Sequence, residues 1–156
     1  MSTALATYLQ DHLAGSVHAI ELVEHIRDEH AGQSLGDFAV HLLSEIRTDQ
    51  EVLQGLAERI GAGSSNFKEV GAWIADKVAR LKLTRQAGNY LGTFEALEFL
   101  ELGINGKKAL WLALEAVAST DSQLQGIDFD RLIERADSQI AQVEERRLAA
   151  AHMALS

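Results

Sequence analysis

The sequence predicts an all-α protein, a bundle of long helices forming a single domain over residues 1–156. Three observations carry this. Apolar residues recur every three or four positions through most of the chain, the spacing of one helix face. No stretch alternates apolar and polar residues as a half-buried strand does. The chain also contains no proline, the residue that interrupts helices and marks loops. Its 156 residues, 47% hydrophobic and 24% charged, suffice for one ordinary core.

The first helix carries a stripe of Leu5, Leu9, Ala19, Val23 and Ile26, flanked by Tyr8 and Ile20. Gly32 stands where a helix-terminating glycine belongs. Ser34, with Asp37 three residues on, opens the second helix. Its stripe is Phe38, Leu42, Ile46, Val52, Leu53, Leu56 and Ile60, and Gly61 and Gly63 end it. Asn66 and Glu69 form a capping-box pattern before a shorter helix bearing Val70, Trp73, Ile74, Val78 and Leu81. Residues 84–93 hold Gly88, Asn89 and Gly92 and read as a loop. A third long helix follows over about 94–117. Its Gly103 and Gly106 predict a tight helix crossing. Thr120 with Gln123 caps a short turn ended by Gly126. Asp128 caps the last helix, whose stripe is Phe129, Leu132, Ile133, Ala136, Ile140, Val143 and Ala150.

Connection lengths order these helices. Short links join the first to the second and the third to the last, giving two antiparallel hairpins. About thirty residues, including the short helix, lie between the hairpins. A long crossover places this chain among four-helix bundles of that topology. The alternative is an up-down-up-down bundle with a fifth helix packed outside.

Charge and composition exclude several functions. Asp and Glu number 23 against 14 Lys and Arg, a net charge of -9 without any basic run. Such a surface repels phosphate backbones, so nucleic acid is no partner. The absence of cysteine excludes disulfides, thiolate metal sites and a cysteine nucleophile. The N-terminal residues do not read as a signal peptide, and no apolar run approaches the ~18 residues that span a bilayer. The expected setting is cytoplasmic and away from membranes. No Gly-x-Ser-x-Gly or His-Glu-x-x-His occurs, and Gly61-Ala-Gly63-Ser-Ser lacks the Lys of a phosphate loop. No catalytic residue and no cofactor is assigned.

Polar residues nevertheless fall inside the apolar arcs when positions are advanced at about 100° each. They are His12, Ser16 and His30 on helix one, Glu45 and Asp49 on helix two, Lys107 on helix three and Arg147 on helix four. An unpaired buried charge costs too much to be incidental. His12, Ser16, Glu45, Asp49, Lys107 and Arg147 therefore make a buried polar network. It reads either as an ion network that fixes helix register or as a pocket for a small anion or metal. Asp49 falls level with Ser16 and Val17 across the first hairpin and is expected to be bound by another helix. The face with His18, Glu21 and His25 reads as solvated. So does the strip Glu95, Glu98 and Glu101, which would face inward only if the arc of helix three were turned.

The crossover topology and the inward acids of helix two resemble the ferritin-like superfamily. Phe94-Glu-Ala-Leu-Glu98 and Leu102-Gly-Ile-Asn-Gly-Lys-Lys-Ala-Leu-Trp111 are similar to segments of small bacterial ferritin-like proteins. The resemblance implies the fold across most of the chain. The family's di-iron site takes a Glu from each of two helices and Glu-x-x-His from each of the others. The residues three before the six histidines are Leu9, Gly15, Leu22, Arg27, Phe38 and Ala149, so that motif is absent. The expected role is therefore a non-catalytic bundle of structural or interaction type. The alternative is a metal-binding or redox protein using His12, Glu45 and Asp49, with Glu98 or Glu101. A small-molecule-binding module is a third class. Helix three is apolar over a wide arc that includes Phe99, Leu102 and Trp111, which predicts a homodimer.

Overall fold

The structure, a computed structural model, describes residues 3–62 and 90–156. Among these residues it is all-helical and contains no strand. Four long helices, α1 (Thr3–Glu29), α2 (Ser34–Arg59), α3 (Tyr90–Ala118) and α4 (Phe129–Leu155), are joined in part by a 3₁₀ turn over Ser122–Leu124. The short helix expected from Asn66, with Trp73, and the loop expected over 84–89 lie outside the described residues.

Local chemistry sets the ends. Gly32 and Gly61 follow α1 and α2 with φ of 81° and 78°, the left-handed conformation that a side chain disfavours. α2 opens at Ser34 as expected; Gln33 before it makes no side-chain cap, and its carbonyl accepts the Asp37 N–H at 3.1 Å. α3 begins at Tyr90, four residues before the expected start; Gly92 is buried within it, so packing overrides its poor helix propensity. Asp121 replaces Thr120 as the cap of the 3₁₀ turn, accepting from the Gln123 N–H at 2.9 Å, while the Thr120 hydroxyl bonds back to the Val117 carbonyl. Asp128 caps α4 by accepting from the Arg131 N–H.

Side-chain bonds fix the helix directions. Gln10 near the start of α1 reaches the Ala62 carbonyl just beyond α2, and Arg147 near the end of α4 reaches Glu98 near the start of α3, so both pairs are antiparallel. Thr93 at the start of α3 reaches His30 just beyond the end of α1. Arg146 near the end of α4 reaches Ser34 at the start of α2. Hence α1 opposes α3, α2 opposes α4, and α2 and α3 run the same way.

The interior follows a seven-residue repeat. In α2 the buried positions include Ala39, Leu42, Ile46, Asp49, Leu53 and Leu56, and the series continues at Ile60 just beyond its end; in α4 they are Phe129, Leu132, Ala136, Gln139 and Val143. Steps alternating three and four average 3.5 residues, the period of helices that coil about one another. The core is split in two. One apolar cluster gathers around Val23, Leu42, Ile46, Leu97 and Leu100, the other around Leu9, Leu53, Leu56, Trp111 and Leu114. Between them, the same seam carries Ser16, Asp49, Lys107 and Gln139, one residue from each helix.

Among the described residues there is none of the tight approach expected at Gly103 and Gly106, where a Cβ would meet nothing within 4 Å. The close approach occurs at Gly36, where a Cβ would overlap the His30 carbonyl. Gly36→Ala is therefore expected to lower stability by about 1–3 kcal/mol through forced backbone displacement. Urea denaturation checks this, and a neutral result would show that the α1–α2 corner has slack.

Candidate functional site

The polar layer is built around one carboxylate. Asp49 is only 1% exposed. Lys107 Nζ donates to its Oδ2 at 2.7 Å, and Arg135 Nη2 approaches its Oδ1 at 2.9 Å in an ionic contact angled away from hydrogen-bond geometry. Gln139, fully buried, uses both ends of its amide: the oxygen accepts from Lys107 Nζ at 2.5 Å and the nitrogen donates to Glu45 Oε1 at 3.0 Å. Two acids and two bases are thereby linked across α2, α3 and α4. Burial pushes the Lys107 ammonium below the ordinary lysine range, while the Asp49 carboxylate beside it works in the opposite direction.

A cavity of about 270 Å³ opens beside this layer, between α1, α2 and α3. Its walls are mainly apolar, with Ala19, Ile46, Leu53, Ile104, Leu110 and Trp111. Gly15, Gly103 and Gly106 line it without side chains, Gly103 exposed and the other two half-buried. The polar lining comprises Asp11, His12, Ser16, Asp49, Gln50 and Lys107. Ser16 Oγ donates to the Leu13 carbonyl and accepts from Gln50 Nε2 at 3.0 Å. His12 packs edge-on against Tyr8, and burial lowers its pKa below 6.5, opposed in part by Asp11.

The structure brings Asp49, Lys107 and Glu45 into one network and sets His12 and Ser16 on the cavity wall. Arg147 stands apart from them. Its guanidinium lies 3.0 Å from Glu101, 2.9 Å from Glu144 and 3.5 Å from Glu98. The strip Glu98 and Glu101, expected to face solvent, is thus half of an α3–α4 ion cluster. Arg135 and Gln139 take the inward place on α4 that Arg147 was expected to fill. The signal for Gln139 was its place in the alternating three-and-four series; Arg135, flanking that seam, left none. His18 and His25, expected on a solvated face, have side chains only 18% and 17% exposed, with Glu21 and Glu29 nearby.

His12, Glu45, Asp49, Glu98 and Glu101 do not converge. Among the described residues no three His, Asp or Glu side chains stand together as ligands for an ion. No helix among those residues is long and apolar enough to cross a membrane. Comparison with family models, with curated proteins and with solved structures returned no match.

The unequal coordination of the charges sets their mutational costs. Asp49→Ala leaves Lys107 and Arg135 facing each other, for an expected loss of roughly 3–5 kcal/mol. Lys107→Met leaves Asp49 still paired with Arg135 and is expected to cost about 2 kcal/mol or less. Glu24, in exposed contacts with Arg27 and Arg47, is expected to cost below about 0.5 kcal/mol on truncation to Ala. Equal losses for Asp49→Ala and Glu24→Ala in urea melts would contradict the central place of Asp49.

Proposed function

We propose that this chain is a non-catalytic, small-molecule-binding helical bundle of the ferritin-like type, with its ligand in the cavity between α1, α2 and α3. The carrying observation is the pair of glycines inside α3. Each glycine in a helix interior costs about 1 kcal/mol relative to alanine. Gly103 is exposed and Gly106 half-buried, and among the described residues a Cβ at either meets nothing; on this reading the cost at Gly106 is what keeps the cavity wall open. The helix directions, with α2 and α3 parallel between two antiparallel hairpins, support the ferritin-like assignment. Where metal-binding bundles of that type present several carboxylates, this one presents Lys107 and Arg135 against Asp49. Both fixed cations compete with any metal for the same oxygens, so the metal-binding alternative has less support. A cytoplasmic setting belongs to this reading and is supported by the cysteine-free composition.

The test is to fill the space. Gly106→Leu is expected to raise the ligand-free melting temperature and to abolish stabilisation by any fragment found in a thermal-shift screen. In the wild-type protein a fragment at a hundred times its Kd contributes about 2.7 kcal/mol. A Gly106→Leu protein that melts lower than wild type, or still responds to the fragments, would reject the cavity as the binding site.

A homodimer is the second part of the proposal. Leu102, Leu112 and Val117 are exposed on α3, at 63%, 45% and 44%. Trp111, expected there, is fully buried in the core instead, because the seven-residue repeat turns it inward. Light scattering at micromolar concentration is expected to return twice 17.0 kDa, and Leu102→Lys to return the monomer. A monomeric wild type would dismiss the α3 interface.

A further inference from the structure

We infer that the cavity selects a neutral, mostly apolar molecule carrying one hydrogen-bond-accepting oxygen, such as a ketone, and that Lys107 holds that oxygen. This inference rests on the cavity being a binding site. Size comes first. An apolar cavity of roughly 150 Å³ holds one benzene ring, so about 270 Å³ takes a molecule somewhat larger than a single ring. The apolar walls specify most of its surface.

Lys107 specifies the rest. An ammonium has three donors. Asp49 Oδ2 and Gln139 Oε1 take two of them, and the Lys107 side chain, 16% exposed, lines the cavity. The third donor is left for an occupant. Ser16 Oγ already accepts from Gln50 and Asp49 Oδ2 from Lys107, while among the described residues Asp49 Oδ1 accepts no hydrogen bond but faces the Arg135 charge at 2.9 Å. Trp111 Nε1, also on the wall, is a buried donor without a partner among the described residues. The site therefore offers a donor and seeks an acceptor.

Charge decides between a neutral and an ionic acceptor. Lys107 and Arg135 are matched by Asp49 and Glu45, so the buried group is balanced before anything enters. A carboxylate ligand would add an unmatched negative charge beside Asp49, with Asp11 also on the wall. Burial works against a charge on His12, although Asp11 beside it works the other way. An ammonium ligand would compete with Lys107 for Asp49. Burying either ion unmatched is strongly unfavourable.

Four molecules of similar size separate these cases by calorimetric titration: acetophenone, cumene, benzoate and protonated 1-phenylethylamine. Acetophenone is expected to bind the wild-type protein about tenfold more tightly than cumene, the effect of one well-made hydrogen bond. Benzoate and the ammonium are expected to bind at least about tenfold more weakly than acetophenone. In Lys107→Met the advantage of acetophenone over cumene is expected to vanish while cumene still binds. Should that variant not fold, the wild-type ranking alone decides. Equal binding of acetophenone and cumene overturns the role of Lys107. Benzoate or the ammonium binding first overturns the neutrality of the ligand. In both cases the cavity reading stands. Binding of none of the four, or binding that survives Gly106→Leu, removes the cavity reading and this inference with it.

Discussion

The pairing of Asp49 with two cations constrains everything else in this bundle. A carboxylate 1% exposed cannot remain charged without partners, and here they come from α3 and α4. Buried ion pairs add little net stability compared with well-packed apolar residues, but they penalise the wrong arrangement severely. Sliding one hairpin against the other by a single turn would set Asp49 against Ile104 and Val143, or against Leu110 and Ala136, and leave Lys107 unmatched. Leucine-rich seams are tolerant of such slips, so the polar layer supplies the register that the apolar clusters alone do not.

The cavity follows from the same layer. Three of its four seam positions carry Asp49, Lys107 and Gln139, which reach toward one another across α2, α3 and α4. The fourth, Ser16 on α1, is too short to join them and bonds instead to Leu13 and Gln50. Gly15 and Ala19 beside it are equally small, as are Gly103 and Gly106 opposite. The polar contacts thus hold three helices together on one side and leave a gap on the other. The most polar and the emptiest parts of the interior are neighbours for one steric reason.

Much of this was legible in the residues. The apolar spacing placed all four long helices, and the loop glycines placed several of their ends. Asp49 and Lys107 stood out as charges inside apolar stripes. Arg147 was drawn into the same group because a straight helix at 3.6 residues per turn aligns it with Phe129 and Ile140. The helices follow a 3.5-residue seam, and the two periods diverge by about 20° every seven residues. Over the length of α4 that drift is enough to exchange Arg147 for Gln139. Arg135 was illegible for another reason: a long side chain rooted beside a seam can extend its tip inward while its stem stays half outside. The glycines of α3 carry no direction in the sequence. A missing side chain means close contact in one place and empty space in another, and only the neighbouring helices decide which.

The two hairpins also differ from their union in how far apart along the chain their contacts lie. Ser16 and Gln50 are separated by 34 residues and Lys107 and Gln139 by 32, whereas Asp49 and Lys107 are separated by 58 and Glu45 and Gln139 by 94. Each hairpin can zip locally, and the charged layer closes only when the two meet. Closing longer loops adds little entropy cost, since that cost grows logarithmically. The larger obstacle is stripping water from Asp49, Lys107 and Arg135 before their partners are in place. The same obstacle operates in reverse, because the dry ions must separate before water can reach them. The layer therefore acts as a kinetic latch, slow to engage and slow to release.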